Sequence, residues 1–278
     1  LTVRQRGRRR RPDLQLEAGS RAHYEDPAYY AATYRKRTSD ILYYVDLAAR
    51  SRGPVLEYGV GNGRIALPLA RAGIEVVGVD QSKAMLDDLR ARLRDEPEEV
   101  RRRVTLVRGD MRSVRVKRRF PLVIAAFNTT LHLYTREDVE GFLAGVRAHL
   151  GPKGVFVADL STPPLADLER DPAHAYHAPR FRHPTTGEMV KNAERFEYDP
   201  ARQVLFVSME FEPVGHPERG WMTPLCHRQF FPQEWQMLLH YNGLETVKVE
   251  GDFHGGPLDR QSDVMIVHAR ARKRTAKG

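Results

Sequence analysis

The most specific chemistry in this chain lies between Pro54 and Asp80, in PVLEYGVGNGRIALPLARAGIEVVGVD. Three glycines at alternate positions, Gly59, Gly61 and Gly63, let the backbone turn sharply and let a ligand approach without meeting a Cβ. A dinucleotide loop needs G-x-G-x-x-G, with the third glycine for close helix packing; that position is Arg64 here. Glu57, just ahead of the loop, repels a phosphate and suits a ligand with positive charge. Asp80, 21 residues beyond Gly59, is placed to accept hydrogen bonds from a ribose diol. A nucleoside that carries a cation and no phosphate satisfies both carboxylates.

These residues need strands and helices to hold them. The apolar run Val55-Leu56, the loop, a helical segment carrying Ile65, Leu69 and Ala72, and the run from Ile74 to Val79 make a strand, turn, crossover helix and parallel strand. Such units bind ligands at the carboxyl ends of their strands. Ser82 is the expected N-cap of a second helix with Met85, Leu86, Leu89 and Leu93 on one face. A third strand, 104–107, ends in Gly109-Asp110-Met111, and a fourth, 121–127, ends in Asn128-Thr129-Thr130-Leu131-His132. Its near-continuous apolar character fits a sheet covered on both faces. Thr135 and Asp138 are spaced as a capping box before a third helix, and a fifth strand spans 155–160.

Beyond residue 160 the alternation breaks. Residues 161–188, rich in Pro, His and Asp, read as a long loop; 189–198 and 203–212 read as an antiparallel hairpin with Leu205, Val207, Met209 and Phe211 on one face, and a further strand is expected near 224–230. Pro232 opens a last helix that Gly243 stops, and 244–253 and 263–269 read as closing strands. The expected organisation is a flexible basic arm over 1–20, an α/β core with an N-terminal helical lid over 21–160, a β insertion over 161–231 and the final core elements over 232–273.

The acidic-x-G-x-G-x-G pattern from Glu57, followed by an acidic residue closing the second strand, resembles the class I S-adenosylmethionine-dependent methyltransferases. That resemblance implies a Rossmann-like seven-stranded sheet, mostly parallel, whose last strand inserts antiparallel between its neighbours. It implies S-adenosyl-L-methionine as cofactor and S-adenosyl-L-homocysteine as product, held by Glu57, the three glycines, and Asp80 with Gln81 and Met85 beside it. Asp110 would accept from the adenine amino group while the Met111 N–H meets a ring nitrogen, and Asn128 would contact the methionine part. In relatives such as glycine N-methyltransferase a helical segment closes over the cofactor with a tyrosine and an arginine. RTSD here nominates Arg37, with Tyr30 seven residues earlier; Arg35 is the alternative. An arginine fork suits a carboxylate.

Methyl transfer from a sulfonium is an in-line displacement, so position and exclusion of water matter more than a strict catalytic group. Where the acceptor carries a proton, a histidine is the usual base. His132 and His254 are the candidates for that role, and His227 and Arg228, in an expected pocket strand, are candidates to meet the acceptor. His132 serves equally well as a cap for the next turn. The insertion covers the acceptor site or builds a dimer contact, leaving a homodimer open.

The charge of +9 is unevenly placed: residues 1–11 hold six arginines and 270–278 hold five Arg or Lys, which leaves 34 basic against 36 acidic residues for the body. A near-neutral body favours a small-molecule acceptor, at oxygen or nitrogen; contact with nucleic acid is expected only weakly, through the tails. An RNA or protein acceptor, or a silent cofactor-binding subunit, are the competing accounts. No apolar run approaches the roughly 20 residues of a membrane span, and the N-terminal arginines lead into no signal-peptide-like stretch. One cysteine, Cys226, permits neither an internal disulfide nor a cysteine metal cluster. The cytoplasm is the expected compartment, and no metal is expected.

Overall fold

The computed structural model describes residues 13–272. Residues 1–12 and 273–278, which carry most of the basic tails, lie outside them. In chain order the described elements begin with three lid helices, α1 (Leu14–Gly19), α2 (Pro27–Tyr34) and α3 (Ser39–Ser51). The core follows as β1 (Val55–Tyr58), α4 (Ala66–Arg71), β2 (Val76–Asp80), α5 (Lys83–Arg94), α6 (Glu98–Arg101), β3 (Val104–Arg108), β4 (Phe120–Ala125), α7 (Arg136–His149) and β5 (Leu150–Ser161). Next come α8 (Leu165–Leu168), β6 (Tyr176–Arg182), β7 (Met189–Asp199), β8 (Val204–Pro213) and β9 (Trp221–Arg228). The chain closes with α9 (Pro232–Tyr241), β10 (Leu244–Glu250) and β11 (Val264–Ala271).

Seven strands form one sheet in the order β10-β11-β5-β4-β1-β2-β3. Its members are parallel except β11, which runs antiparallel to both β10 and β5. All four residues of β1 are buried, as a strand covered on both faces requires. On one side Phe142, Val146, Trp235 and Leu239 pack against Leu56, Tyr58 and Phe156. On the other, Tyr44, Leu69, Leu86 and Leu89 pack against Val55, Val76 and Ile124. Two caps read from sequence hold: Ser82 Oγ accepts from Met85 N at 3.2 Å, and Thr135 and Asp138 exchange bonds of 3.1 and 3.0 Å.

The second sheet, β6-β7-β8-β9, is antiparallel. Val207, Met209 and Phe211 share one face with Val190, Phe181 and Trp221. On the other face Val204, Phe206 and Cys226 pack against Leu16 of α1.

Five expectations change. Residues 161–188 are not all loop, because α8 and β6 lie within them. The β6 strand is an exposed edge strand containing Pro179, with a register shift between Ala178 and Phe181, so it shows no alternation to read. The fourth strand stops at Ala125, since Phe127 and Asn128 turn into the left-handed region with φ of +52° and +63°. The strand expected near 224–230 runs from Trp221 to Arg228, and the one expected to reach residue 253 ends at Glu250. Finally, residues 14–19 of the expected arm are helical. Asp13 caps them by accepting from Gln15 N and Leu16 N at 3.1 and 3.2 Å. Their fixed place comes from β9: a Cβ on Gly19 would stand 2.0 Å from Cys226 Sγ.

Candidate active site

A cleft of about 1780 Å³ opens at the carboxyl ends of β1 to β4, between the lid and the turn joining β7 to β8. Among the described residues no group of three or more His, Cys, Asp or Glu is arranged to hold a metal, and no helix is long and apolar enough to cross a membrane.

At one end stands the glycine loop, and its glycines have distinct reasons. A Cβ on Gly59 would lie 2.4 Å from Thr129 Oγ1, and one on Gly63 2.3 Å from Leu89 Cδ1, so both permit close packing. Gly61, with φ of +53°, borders open cleft: the nearest atom to its Cβ would be the Gly59 carbonyl at 4.0 Å. Space for a ligand is therefore built at Gly61. Asp80 clamps the loop to the start of α5, accepting from Gly61 N and Ser82 N at 2.8 Å each. A carboxylate has about four acceptor positions, so acceptor capacity is left for a diol. Burial pushes the Asp80 carboxyl up, against those backbone bonds. Glu57 is buried and pushed up well above the usual carboxylate range, by burial first and by the charge of Asp80; Arg64 opposes this. One of its carboxylate oxygens has no partner.

Gln81, Met85, Asp110, Met111 and Tyr30 all line the cleft with these groups. Asp110 is already engaged by Arg112, whose Nε lies 2.9 Å from both its oxygens and whose Nη1 reaches Asp138 at 2.9 Å. Burial raises the Asp110 carboxyl, but the hydrogen bonds from Arg112 outweigh it and hold the group below its ordinary value.

Three donor-side expectations differ from what the chain does. Asn128 does not line the cleft; its amide exchanges bonds of 3.0 and 2.7 Å with Ser161, closing the ends of β4 and β5. Arg37 lies behind Phe127, with its Nε 2.9 Å from Asp40, and it is Arg64 that lines the cleft. Arg35 is exposed at the end of α2 and does not line the cleft.

At the acceptor end Tyr24, His132 and Tyr134 line the cleft together. The Tyr134 hydroxyl donates to the Cys226 carbonyl at 2.9 Å, so its single proton is committed there. His132 Nδ1, 3.0 Å from the same hydroxyl, must then be the donor, which leaves Nε2 to accept from Tyr24 at 2.7 Å. Burial, with a smaller contribution from His23, holds the His132 imidazole down at about 4. It is neutral at ordinary pH. The turn carrying Tyr24 is tied to the donor end, since Ser82 Oγ donates to the Tyr24 carbonyl at 3.2 Å.

The other acceptor candidates lie elsewhere or are occupied. His227 does not line the cleft; its ring packs 5.1 Å from that of His132, and burial holds it well below the usual histidine range. Arg228 lines the cleft, but its guanidinium is bound by Glu234 at 2.7 Å, Gln203 at 3.1 Å and the Tyr134 carbonyl at 3.1 Å. Its charge is neutralised, so it makes a poor anchor for an acidic acceptor. His254 is exposed in the loop after β10, outside the cleft lining. Tyr134, Asp40 and Asp159 were not singled out by sequence reasoning, and Tyr24 was one tyrosine among six in its segment. Each takes a partner from a distant part of the chain, Tyr24 from His132, Tyr134 from Cys226, Asp159 from Tyr44 and Asp40 from Arg64, which no local pattern announces.

Fold and site together are those of a Rossmann-like enzyme of the methyltransferase type, with a glycine-loop cradle at one end of the cleft and the Tyr24, His132 and Tyr134 cluster at the other. Comparison with known proteins agrees. The sequence profile described as "Methyltransferase domain" matches residues 55–154. The cypemycin N-terminal methyltransferase of a Streptomyces species is 28% identical over 217 residues, covering 77% of this chain and 81% of that one. Among solved structures, the CcbJ methyltransferase from Streptomyces caelestis superposes with a TM-score of 0.72 at 29% identity, over 84% of this chain and 94% of that chain. The glycopeptide N-methyltransferase MtfA, complexed with S-adenosyl-L-methionine, gives 0.60 at 26% identity, over 84% and 93%. The matches over the methyltransferase domain and to these proteins show an S-adenosylmethionine-dependent methyltransferase with the class I, Rossmann-like architecture.

Proposed function

We propose that the protein methylates an amine nitrogen of a small-molecule or peptide natural product. The observation that carries this is the state of His132. With both ring nitrogens engaged and its imidazole held down at about 4, it is a base too weak to ionise a hydroxyl group. A neutral amine is already nucleophilic and needs no such base. Because the Tyr24 proton is committed to His132, the Tyr24 oxygen meets an incoming group only as an acceptor. It suits an N–H, leaving the nitrogen lone pair to face the donor. Of the relatives named above, one is an N-terminal methyltransferase and one a glycopeptide N-methyltransferase by name, which supports nitrogen over oxygen.

The residues at the donor end fit the cofactor: open space at Gly61, the Asp80 carboxylate with acceptor positions to spare, and a buried Glu57 carboxyl oxygen that has no partner among the described residues. When bound, S-adenosylmethionine supplies an electrophilic methyl group on a sulfonium. In this reading Asp80 holds the ribose, Met85, Asp110 and the Met111 N–H hold the adenine, and Gln81 and Tyr30 border them. The lid turn bearing Tyr24, fastened to Ser82, keeps the acceptor in register with the donor and excludes water. The test is mass spectrometry of incubations with labelled donor and matched panels of amines and alcohols. Methylation confined to hydroxyl groups would overturn the proposal.

A further inference from the structure

Tyr134 lines the acceptor end of the cleft, and its hydroxyl joins the turn after β4 to a strand 92 positions further along the chain. Its ring packs against Val204, Phe206 and Cys226 of the second sheet. Its own carbonyl accepts from Arg228 Nη1 at 3.1 Å. Ring and backbone are therefore both fixed. The strand it meets, β9, is an edge of that sheet, and the Cys226 carbonyl 2.9 Å from the hydroxyl can only accept.

A group that can only accept sets a direction for every hydrogen bond behind it. Tyr134 spends its one proton on the carbonyl, so toward His132, 3.0 Å away, its oxygen accepts and Nδ1 carries the hydrogen. Nε2 is then bare and takes the Tyr24 proton at 2.7 Å. Neither ring nitrogen of His132 has another partner among the described residues. Burial, more than any neighbouring charge, pushes the Tyr134 phenol up, so its hydroxyl keeps its proton at working pH. His132, held down at about 4, does not gain a second one there. The whole row of hydrogen bonds therefore has one polarity.

We propose that Tyr134 is a positioning residue for methyl transfer: by relaying the polarity of the Cys226 carbonyl through His132, it keeps the Tyr24 oxygen an acceptor toward the substrate nitrogen. Its effect on turnover rests on the amine reading above; its effect on the imidazole does not. Without the Tyr134 hydroxyl, an Nδ1–H would be a buried donor with no partner, so the neutral ring carries its proton on Nε2 instead. Tyr24 then accepts from Nε2–H and turns its own hydrogen into the cleft. There it meets the lone pair of an amine, the pair that must face the methyl group. Binding survives and attack is impeded.

The test is Tyr134→Phe in the full chain, which keeps the ring and its packing and removes only the hydroxyl. Long-range proton–nitrogen NMR of protein labelled at histidine reads the tautomer, with the His132 signals identified by their loss in His132→Asn. The wild-type ring is expected to carry its proton on Nδ1, and the ring in Tyr134→Phe on Nε2. With an amine acceptor, Tyr134→Phe is expected to lower kcat by about tenfold without raising KM. Its affinity for S-adenosylhomocysteine is expected to stay within about twofold of wild type. An Nε2-protonated His132 in the wild-type chain overturns the proposal, whether or not the variant folds. So does an unchanged tautomer in Tyr134→Phe, or a raised KM at unchanged kcat, which is what a merely structural role would give. A shifted tautomer with kcat and KM both unchanged would instead refute the amine reading, and with it the role in turnover.

Discussion

The loop glycines offer a test in which stability and binding separate. At Gly61 a Cβ meets no protein atom nearer than 4.0 Å, so Gly61→Val meets no overpacking at its Cβ and is strained chiefly through its φ of +53°. Holding a non-glycine residue in the left-handed region costs about 1–2 kcal/mol, which for a chain of this size lowers Tm by about 2–8 °C. The valine branches point into the cleft where the donor must lie. Overpacking of about 1–3 kcal/mol, felt only by the complex, weakens donor binding by roughly fivefold to hundredfold. Gly59→Ala reverses the balance. Its Cβ would stand 2.4, 2.7 and 3.1 Å from Thr129 Oγ1, Cγ2 and Cβ, and φ is +67°. Strain and overpacking then add to about 2–5 kcal/mol against folding, so the larger fall in Tm belongs to Gly59→Ala. Thermal denaturation and calorimetry with S-adenosylhomocysteine read the two effects. A Gly61→Val protein that binds the product with wild-type affinity would refute the assignment of the cradle.

Other outcomes follow from the acceptor end and the lid. Tyr24→Phe removes an acceptor from the cleft and is expected to lower kcat/KM by about threefold to tenfold, the scale of one neutral hydrogen bond, with donor affinity unchanged in calorimetry. His23 and His132 are both held down at about 4 by burial, against an ordinary value near 6.5. Between those values the unfolded chain binds more protons than the folded one, so stability falls as pH drops from about 6.5 to about 4 and is independent of these groups above that window. Denaturant titrations at pH 7 and pH 5 should show it, and His132→Asn should flatten the slope. Gly19→Val drives side-chain atoms into Cys226 Sγ; a raised KM for the acceptor and faster proteolysis near residue 20 are expected. Deleting residues 1–11 should leave turnover of a small amine unchanged. Salt-sensitive loss of activity on a macromolecule alone would favour an RNA or protein acceptor.

The donor end was legible because its chemistry is local. Glu57, the glycine loop, Asp80 and the Ser82 cap fall within 26 consecutive residues, and the bond that closes the cradle, the Gly61 N–H on Asp80 at 2.8 Å, lies inside that stretch. The hydrophobic periods that define β1, β2, β4 and α7 are likewise properties of a short window. Tertiary structure decided the acceptor end. Tyr24 and His132 meet across 108 positions, Tyr134 and Cys226 across 92, and Tyr44 and Asp159 across 115, so no window contains both halves of any pair. The same holds for α1 and β6, whose segments carry almost no periodic signal and are fixed by the β9 and β7 strands they pack against. Arg228 and His227 carry side chains suited to binding, yet whether such a group faces a ligand or a neighbour depends on what the fold brings alongside it. Here Glu234 and His132 took those places.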